Sequence, residues 1–425
     1  MSFQQGLSGL NASSKSLDII GNNIANASTY GAKSSRAEFS DMYANALNGA
    51  GSNAVGIGVT LATVAQQFTQ GNITTTANAM DLSINGAGFF QVSNGLSPTQ
   101  YTRNGQFKID REGFIVNDQS LKLLGYPAGA DGIIQPGEAV PLQLPTAGIA
   151  PASTTGITVE ANLDSRSGTT YPGDGVTPQI DFSDPTTYNN ATSVTVYDVK
   201  GQDVAMTYYF QKTATDQWNV YATANGVPVN GTADEPLPLT DTPIDFATDG
   251  SGPLADLSAL PVTISGDLTN SSGASIVTPM NFTLDLSGTT QYGAAFGVTN
   301  LVQDGYAPGQ LTSVTIDNSG ILMARYSNGQ SKPAGQIELA NFRNPQGLQS
   351  MGGNTWSSTF ASGDPVVGTP SQGNMGTLQS GALEESNVDL TGELVNMITA
   401  QRSYQANAQT IKTQDQVMQT LVNLR

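Results

Sequence analysis

SNVDLTGELVNMITAQRSYQANAQTIKTQDQVMQTLVNLR, residues 386–425, decides how this chain is organised. Steps of four and three in alternation pick out Leu390, Leu394, Met397, Gln401, Tyr404, Ala408, Ile411, Asp415, Met418 and Val422. That is a heptad seam, apolar except at Gln401 and Asp415, and it predicts one long helix that needs a partner. From Leu390 to Arg425 such a helix would run about 50 Å at 1.5 Å per residue. It holds no proline, and its one internal glycine, Gly392, falls in the first turn. Glu384, Glu385 and Asp389 precede it, where the positive end of a helix dipole favours negative charge. Nothing immediately upstream offers a matching seam, but the start of the chain does. Phe3, Leu7, Leu10, Ser14, Leu17, Gly21 and Ile24 follow the same spacing. The two ends read as partners, with everything between them inserted as a loop.

The ends are intrinsically weak helices. Gly6, Gly9 and Gly21 each cost about 1 kcal/mol relative to alanine, and short helices in water are marginal even without that load. The reading predicts that both ends stay largely disordered in a free monomer and order against neighbouring copies.

At 425 residues the chain should hold two to four domains with real cores. It has no cysteine and no histidine. The first absence excludes disulfides, thiolate metal sites and cysteine nucleophiles. The second removes the commonest general base, the Ser-His-Asp arrangement and histidine-ligated zinc. No apolar run approaches the ~20 residues of a membrane span, so no membrane insertion is expected. Met1-Ser2-Phe3-Gln4 lacks the basic and apolar regions of a cleaved signal peptide, so any exit from the cell is expected to use another route. The formal charge of −18 is uneven: Asp131 to Asp285 carries 18 acids and 3 bases (Arg166, Lys200, Lys212). An acidic, solvated middle thus separates two nearly neutral ends that can approach copies of themselves. A nucleic-acid role would need clustered Lys and Arg and is not expected.

Between the ends the pattern is nested. A helix is expected around Ala37–Leu47, then Gly-rich Asn48–Gly58 and a strand over Val59–Phe68. Short strands follow at Ile84, Phe89–Val92, Phe107–Ile109 and Phe114–Val116, separated by glycine turns. A Pro-, Gly- and Thr-rich stretch to Gly156 marks a domain boundary. A second strand cluster covers Val194–Tyr197, Ala205–Phe210 and Trp218–Ala222, with Val262–Ile264 and Met280–Leu286 completing it. Strands resume at Ala295–Val298, Leu311–Ile316, Ile321–Tyr326 and Gln336–Phe342, and Asn344–Gly381 looks nearly structureless. The fold class is therefore multidomain α+β, with the terminal helices paired as a coiled coil and nested all-β domains between them. The expected division is 1–30 with 386–425 (helical), 31–75 with 359–385 (connecting), 76–145 with 286–358 (inner β) and 146–285 (outer β, acidic).

No catalytic constellation stands out. Asp110–Gly113, Asp198–Gly201 and Asp317–Gly320 share the pattern Asp-x-x-Gly, but none has the ligand spacing of a calcium loop. Hairpin turns closed by a left-handed glycine explain them better. The Gly-rich stretches lack the Lys-Ser/Thr ending of a phosphate cradle. Carboxylate pairs for glycoside hydrolysis arise by chance in so acidic a segment, and nothing marks one pair. Met397 and Tyr404 read as seam residues. No metal or cofactor is expected.

Several stretches resemble the bacterial flagellar rod and hook proteins, the axial protein family. They are Ser8-Gly9-Leu10, Asn22-Asn23-Ile24-Ala25-Asn26, and Thr29-Tyr30-Gly31-Ala32-Lys33 with Arg36. At the other end they are Gly381–Leu390 (GALEESNVDL), Ala400–Asn407 (AQRSYQAN) and Leu421–Leu424. Asp81–Phe90 (DLSINGAGFF), Tyr101-Thr102-Arg103 and Asn104-Gly105 look like the family's strand motif. Tyr188–Gly201 leading to Trp218, Asp304–Gly309 (DGYAPG) and Tyr326–Gly329 tilt toward the hook branch. The likeness covers nearly the whole chain and is weakest from about 225 to 280. One departure is Tyr30-Gly31-Ala32-Lys33, where the family more often has an aromatic after the glycine. The resemblance implies a non-enzymatic structural subunit that polymerises into a helical tube and transmits torque in motility, as a universal joint. It implies partners: further copies of itself, the distal rod, the hook cap, the hook–filament junction proteins and the type III flagellar export apparatus. It places the protein outside the cell, joined to the basal body. The expected interface is Phe3, Leu7, Leu10, Leu17, Ile24, Leu390, Leu394, Met397, Tyr404, Ile411, Met418 and Val422. Two alternatives stand: a distal rod subunit, and a secreted carbohydrate-binding or carbohydrate-acting β protein.

Overall fold

The computed structural model describes residues 2–43, 56–129, 131–173, 179–270 and 272–423. The chain divides into two compact units, Met1–Thr146 with Thr312–Arg325 and Ser331–Arg425, and Ala147–Leu311 with Tyr326–Gln330.

The first unit carries both terminal helices, α1 (Ser2–Ala25) and α2 (Leu390–Asn423). Between α1 and the β core stands a long antiparallel hairpin, β1 (Ser35–Tyr43) and β2 (Gly56–Gln66), paired from Ser35↔Gln66 to Tyr43↔Gly56 with register shifts after Glu38 and after Met42. The helix expected over Ala37–Leu47 is thus a strand as far as Tyr43, and residues 44–47 lie outside the described residues. Phe39 and Tyr43 are four apart, as on one helix face, but Ala37, Phe39 and Tyr43 also keep the two-residue period of a strand, and the β-branched and apolar run of β2 supplies the partner ladder.

The remainder of this unit is one large branched sheet with smaller pairings. Its main path runs Leu311–Ile316, Ile321–Tyr326, Ser331–Ile337, Lys122–Pro127, Phe89–Ser93, Gln100–Thr102, Thr355–Ser357 and Gln349–Gly352. The stretch Asn344–Gly381, expected to be nearly structureless, supplies four strands. Thr355–Ser357 pairs with Gln100–Thr102, Val366–Gly368 with Leu339–Asn341, and Thr377–Ser380 with Leu82–Asn85. Two of those partners lie far away in sequence, so local composition carries little sign of them. Leu82, Ile84, Phe90, Val92, Ile115, Leu123 and Leu339 fill the core. A second cluster joins Phe68, Phe89, Tyr101, Phe342 and Trp356 through edge-on rings with centroids 4.8–6.0 Å apart, the preferred aromatic geometry.

The second unit has two sheets that share one core. One runs Leu260–Ile264, Met280–Asp285, Gly156–Asn162, Gly297–Gln303; the other Asn190–Tyr197, Asp203–Ala214, Gln217–Ala224, Val227–Pro228, with Ile244–Asp245 on Gln217–Ala224. Every second residue of Gly156–Asn162 is buried, the period expected of a sheet with one face on the core. Val159, Val204, Tyr208, Trp218 and Leu284 meet there. Gly297–Gln303 pairs with Gly156–Asn162, so this stretch sits in the second unit, whereas the sequence layout grouped 286–358 with 76–145. The three Asp-x-x-Gly stretches are turns: Gly113, Gly201 and Gly320 have φ of 88°, 78° and 79° and donate to the carbonyls of Asp110, Asp198 and Asp317.

Candidate assembly interface

The helices meet antiparallel. A Cβ placed on Gly6 would sit 3.1 Å from Ile411 Cγ1, and one on Gly9 within 2.9 Å of the Asn407 amide carbon. At the far end, Asn23 Nδ2 donates to Glu393 Oε1 at 3.1 Å. The two glycines that weaken α1 as an isolated helix therefore let α2 approach closely. Both ends are helical within the single chain, where the sequence predicts disorder until neighbours arrive; each helix supplies part of the other's missing surface.

The hairpin lies along the same helix. Ser8 Oγ donates to the Val59 carbonyl at 2.6 Å and accepts from the Val59 amide at 2.7 Å. Gln5 Nε2 donates to the Gly56 carbonyl at 2.6 Å. Asn23, buried, holds both groups of Ser35: its Nδ2 donates to the Ser35 carbonyl (2.8 Å) and its Oδ1 accepts from the Ser35 amide (2.9 Å). One side chain of the Asn22-Asn23 pair thus fixes the start of β1 and the first turn of α2 together.

The predicted seam residues divide. Leu10, Leu17, Ile24, Met397 and Ile411 are half-buried. Phe3, Leu7, Leu390, Leu394, Tyr404 and Met418 are exposed, the last at 60%. The Val422 side chain lies outside the described residues. The side of α2 that α1 shelters carries Glu393, Met397, Ala400, Asn407, Ala408, Ile411 and Gln414, all half-buried. It is rotated from the heptad seam and more polar. The rest of the apolar surface, including Val395, Ile398 and Val417, stays open.

Where helices, hairpin and sheet converge there is a buried ionic centre that the sequence reading missed. Glu384, assigned to the helix dipole from its position, instead ends the strand Ala382–Glu384, which pairs with Ile73–Thr75. Its side chain is fully enclosed; Oε1 accepts from Lys33 Nζ at 2.5 Å and from the Gly71 amide at 2.9 Å, and Oε2 from Arg103 Nη1 at 3.0 Å. The carbonyls of Thr69 and Gly86 take further donor groups from Lys33 (2.8 Å) and Arg103 (2.8 Å). Burial pushes the Lys33 ammonium and the Arg103 guanidinium below their ordinary values, and Glu384 opposes that shift. Three distant parts of the sequence are bound through one carboxylate. The available signal was an acid ending the apolar pair Ala382-Leu383. Asp389 does serve α2: its Oδ1 accepts from the Thr391 amide at 3.0 Å. Among the described residues no group of side chains could hold a metal ion, and no helix is long and apolar enough to cross a membrane.

Comparison with known proteins follows the same division. Family models match as Flagella basal body rod protein over 3–33 and Flagellar hook protein FlgE/F/G D1 domain over 83–198. Two others match as Flagellar basal body protein FlaE D2 domain over 162–306 and Flagellar basal body rod FlgEFG protein C-terminal over 379–424. The chain is 43% identical over 432 residues to Flagellar hook protein FlgE of Salmonella typhimurium, covering 100% of both. Identity is 42% over 433 residues to the protein of the same name from Escherichia coli K12, again covering 100% of both. It is 31% over 455 residues to that of Borreliella burgdorferi, covering 100% of this chain and 99% of the other. In fold, the chain is similar to the crystal structure of Helicobacter pylori flagellar hook protein FlgE2, with a TM-score of 0.50 at 14% identity, over 73% of this chain and 100% of that one.

Proposed function

The chain belongs to the flagellar hook protein family and is a structural subunit of the hook, and on that premise we propose how its ends and middle divide the work. The paired helices α1 and α2 form a coiled-coil domain that packs side by side with those of neighbouring copies. Phe3, Leu7, Leu390, Leu394, Tyr404 and Met418 make those contacts. Leu10, Leu17, Ile24, Met397 and Ile411 hold the pair together, and Val422 extends the seam. Repetition of one heterologous contact generates an open tube around a central channel. The segments 31–75 and 359–385 connect this domain to an inner β domain of 76–145 and its returning strands. The acidic residues from 146, extended by the strand Gly297–Gln303, form an outer domain.

A joint that bends while transmitting torque needs outer contacts that slide. A strongly acidic surface with little apolar area suits that, because like charges keep copies from locking. The work of the chain is mechanical, not catalytic. By the same reading the chain leaves through the flagellar export channel, assembles under a cap, and joins the distal rod to the junction proteins.

The observation that carries this proposal is the uncovered apolar surface of α2, seven large side chains among the described residues of a 34-residue helix. A surface of this kind on one monomer marks an interaction site. Electron microscopy of the whole chain and of a chain lacking residues 1–30, under the same assembling conditions, tests it. Tubes are expected from the first and none from the second, with the β units still folded by circular dichroism. Tubes of normal diameter from the trimmed chain would overturn it.

A further inference from the structure

Away from the helices, the first unit presents an aromatic ring held out into solvent by a tightly bonded loop. Phe360 is fully exposed, yet its neighbours on both sides are fixed. Thr359 Oγ1 donates to the Gly347 carbonyl at 2.6 Å and accepts from the Ala361 amide at 3.1 Å. Ser362, buried, returns its Oγ to the Thr359 carbonyl at 2.8 Å and accepts from the Thr359 amide at 2.9 Å. Asn344 Nδ2 donates to the Ala361 carbonyl at 3.0 Å. Gly347 passes so close that a Cβ there would fall 2.5 Å from the Ser362 amide nitrogen. A ring fixed in this way has little backbone freedom left to lose on binding, which lowers the cost of association.

The same unit offers a receptor. Phe342, Arg343, Val366, Val367 and Met375 line an open groove. Val366 and Val367 are exposed and lie on Val366–Gly368, which pairs with Leu339–Asn341 on one side and, among the described residues, with no strand on the other. An open edge with two bare valines is an invitation to another chain. Charge favours a second copy as that chain. Arg343 rims the groove and Asp364 follows Phe360 by four residues; both are exposed, and neither belongs to an ion pair among the described residues.

We propose that Phe360 of one copy seats in the Phe342–Val366–Val367–Met375 groove of a neighbouring copy, with Asp364 beside the knob facing Arg343 at the groove's rim. Knob and groove are different surfaces, so the contact leaves one of each free and can be repeated along a row. The inference rests on the polymer reading above and adds a contact outside the helices.

The absence of cysteine from the chain gives a clean test. Chains carrying Phe360→Cys and chains carrying Val367→Cys are assembled separately and as a mixture, then treated with a mild oxidant. Covalent dimers are expected from the mixture and not from either variant alone. In parallel, Phe360→Ser is expected to raise the critical concentration for assembly about tenfold, as loss of an aromatic anchor does. Its urea midpoint should stay unchanged, since the ring supports nothing in its own chain. Assembly of Phe360→Ser at the wild-type concentration, or no cross-link in the mixture, would overturn the contact. Failure of the unaltered chain to assemble would instead overturn the polymer reading beneath it.

Discussion

Replacing Glu384 by glutamine keeps the shape of the ionic centre and removes its only negative charge. Lys33 and Arg103 are then left as two buried cations with no counter-ion, sharing the carbonyls of Thr69 and Gly86. Breaking a buried ion pair by deleting one partner costs about 3–5 kcal/mol, because a charge is left uncompensated. Here one deletion strands two cations, while the carbonyls soften the loss, so about 4 kcal/mol is expected. That is a large part of the ~5–15 kcal/mol typical of a folded domain. The two tryptophans make the assay local, since Trp356 lies in the first unit and Trp218 in the second. In a Trp218→Phe background, urea unfolding followed by Trp356 fluorescence reads the first unit. Replacing the whole centre (Lys33→Met, Arg103→Met, Glu384→Leu) should cost less than Glu384→Gln alone, because nothing charged remains buried. A Glu384→Gln penalty under about 1 kcal/mol, or a triple variant worse than the single, would refute the reasoning.

Asn23→Ala should cost about 1–3 kcal/mol, the range for leaving buried polar groups unpaired. It should also raise amide exchange in the first turn of α2, whose Glu393 loses its partner. Gly9→Val should weaken the helix pair by forcing apart α1 and Asn407, read as loss of helical circular dichroism with the near-ultraviolet signal of the β units retained. In alkali, burial raises the Tyr101, Tyr208 and Tyr221 phenols above their ordinary value, and burial with the Glu338 contact takes Tyr126 to about 12. The folded form then holds protons that the unfolded form gives up, so stability is retained below about pH 10 and falls as pH rises above it. Lys33 and Arg103, both shifted down, push the other way below their ordinary values of 10.5 and 12.5, but they are two groups against four. The urea midpoint should drop between about pH 9.5 and 11.5; a flat or rising profile would contradict this.

The two helices were legible because four-and-three spacing sustained over a long stretch matches the helical period and misses the two-residue period of a strand. The hairpin turns were legible for a similar reason, since Asp-x-x-Gly closes a turn with local atoms alone. What stayed hidden depends on distant partners. Ala37–Tyr43 could be read as helix because its strand partner begins beyond a glycine-rich gap, and Asn344–Gly381 looked empty because three of its strands borrow ladders from residues 82–102 and 339–341, while Gln349–Gly352 makes only a short local hairpin with Thr355–Ser357. The helix contact itself was rotated from the seam, because close approach at Gly6 and Gly9 selects the small and polar side of α2. Glu384 was misassigned because sequence proximity to a helix start says nothing about which way a strand residue points.

The ionic centre also sets a condition on synthesis. Its cations come from residues 33 and 103, while its carboxylate arrives only at residue 384. A product that stops short of that point carries two unquenched cations where the junction should close. The first unit is therefore expected to close stably only when the chain is nearly complete.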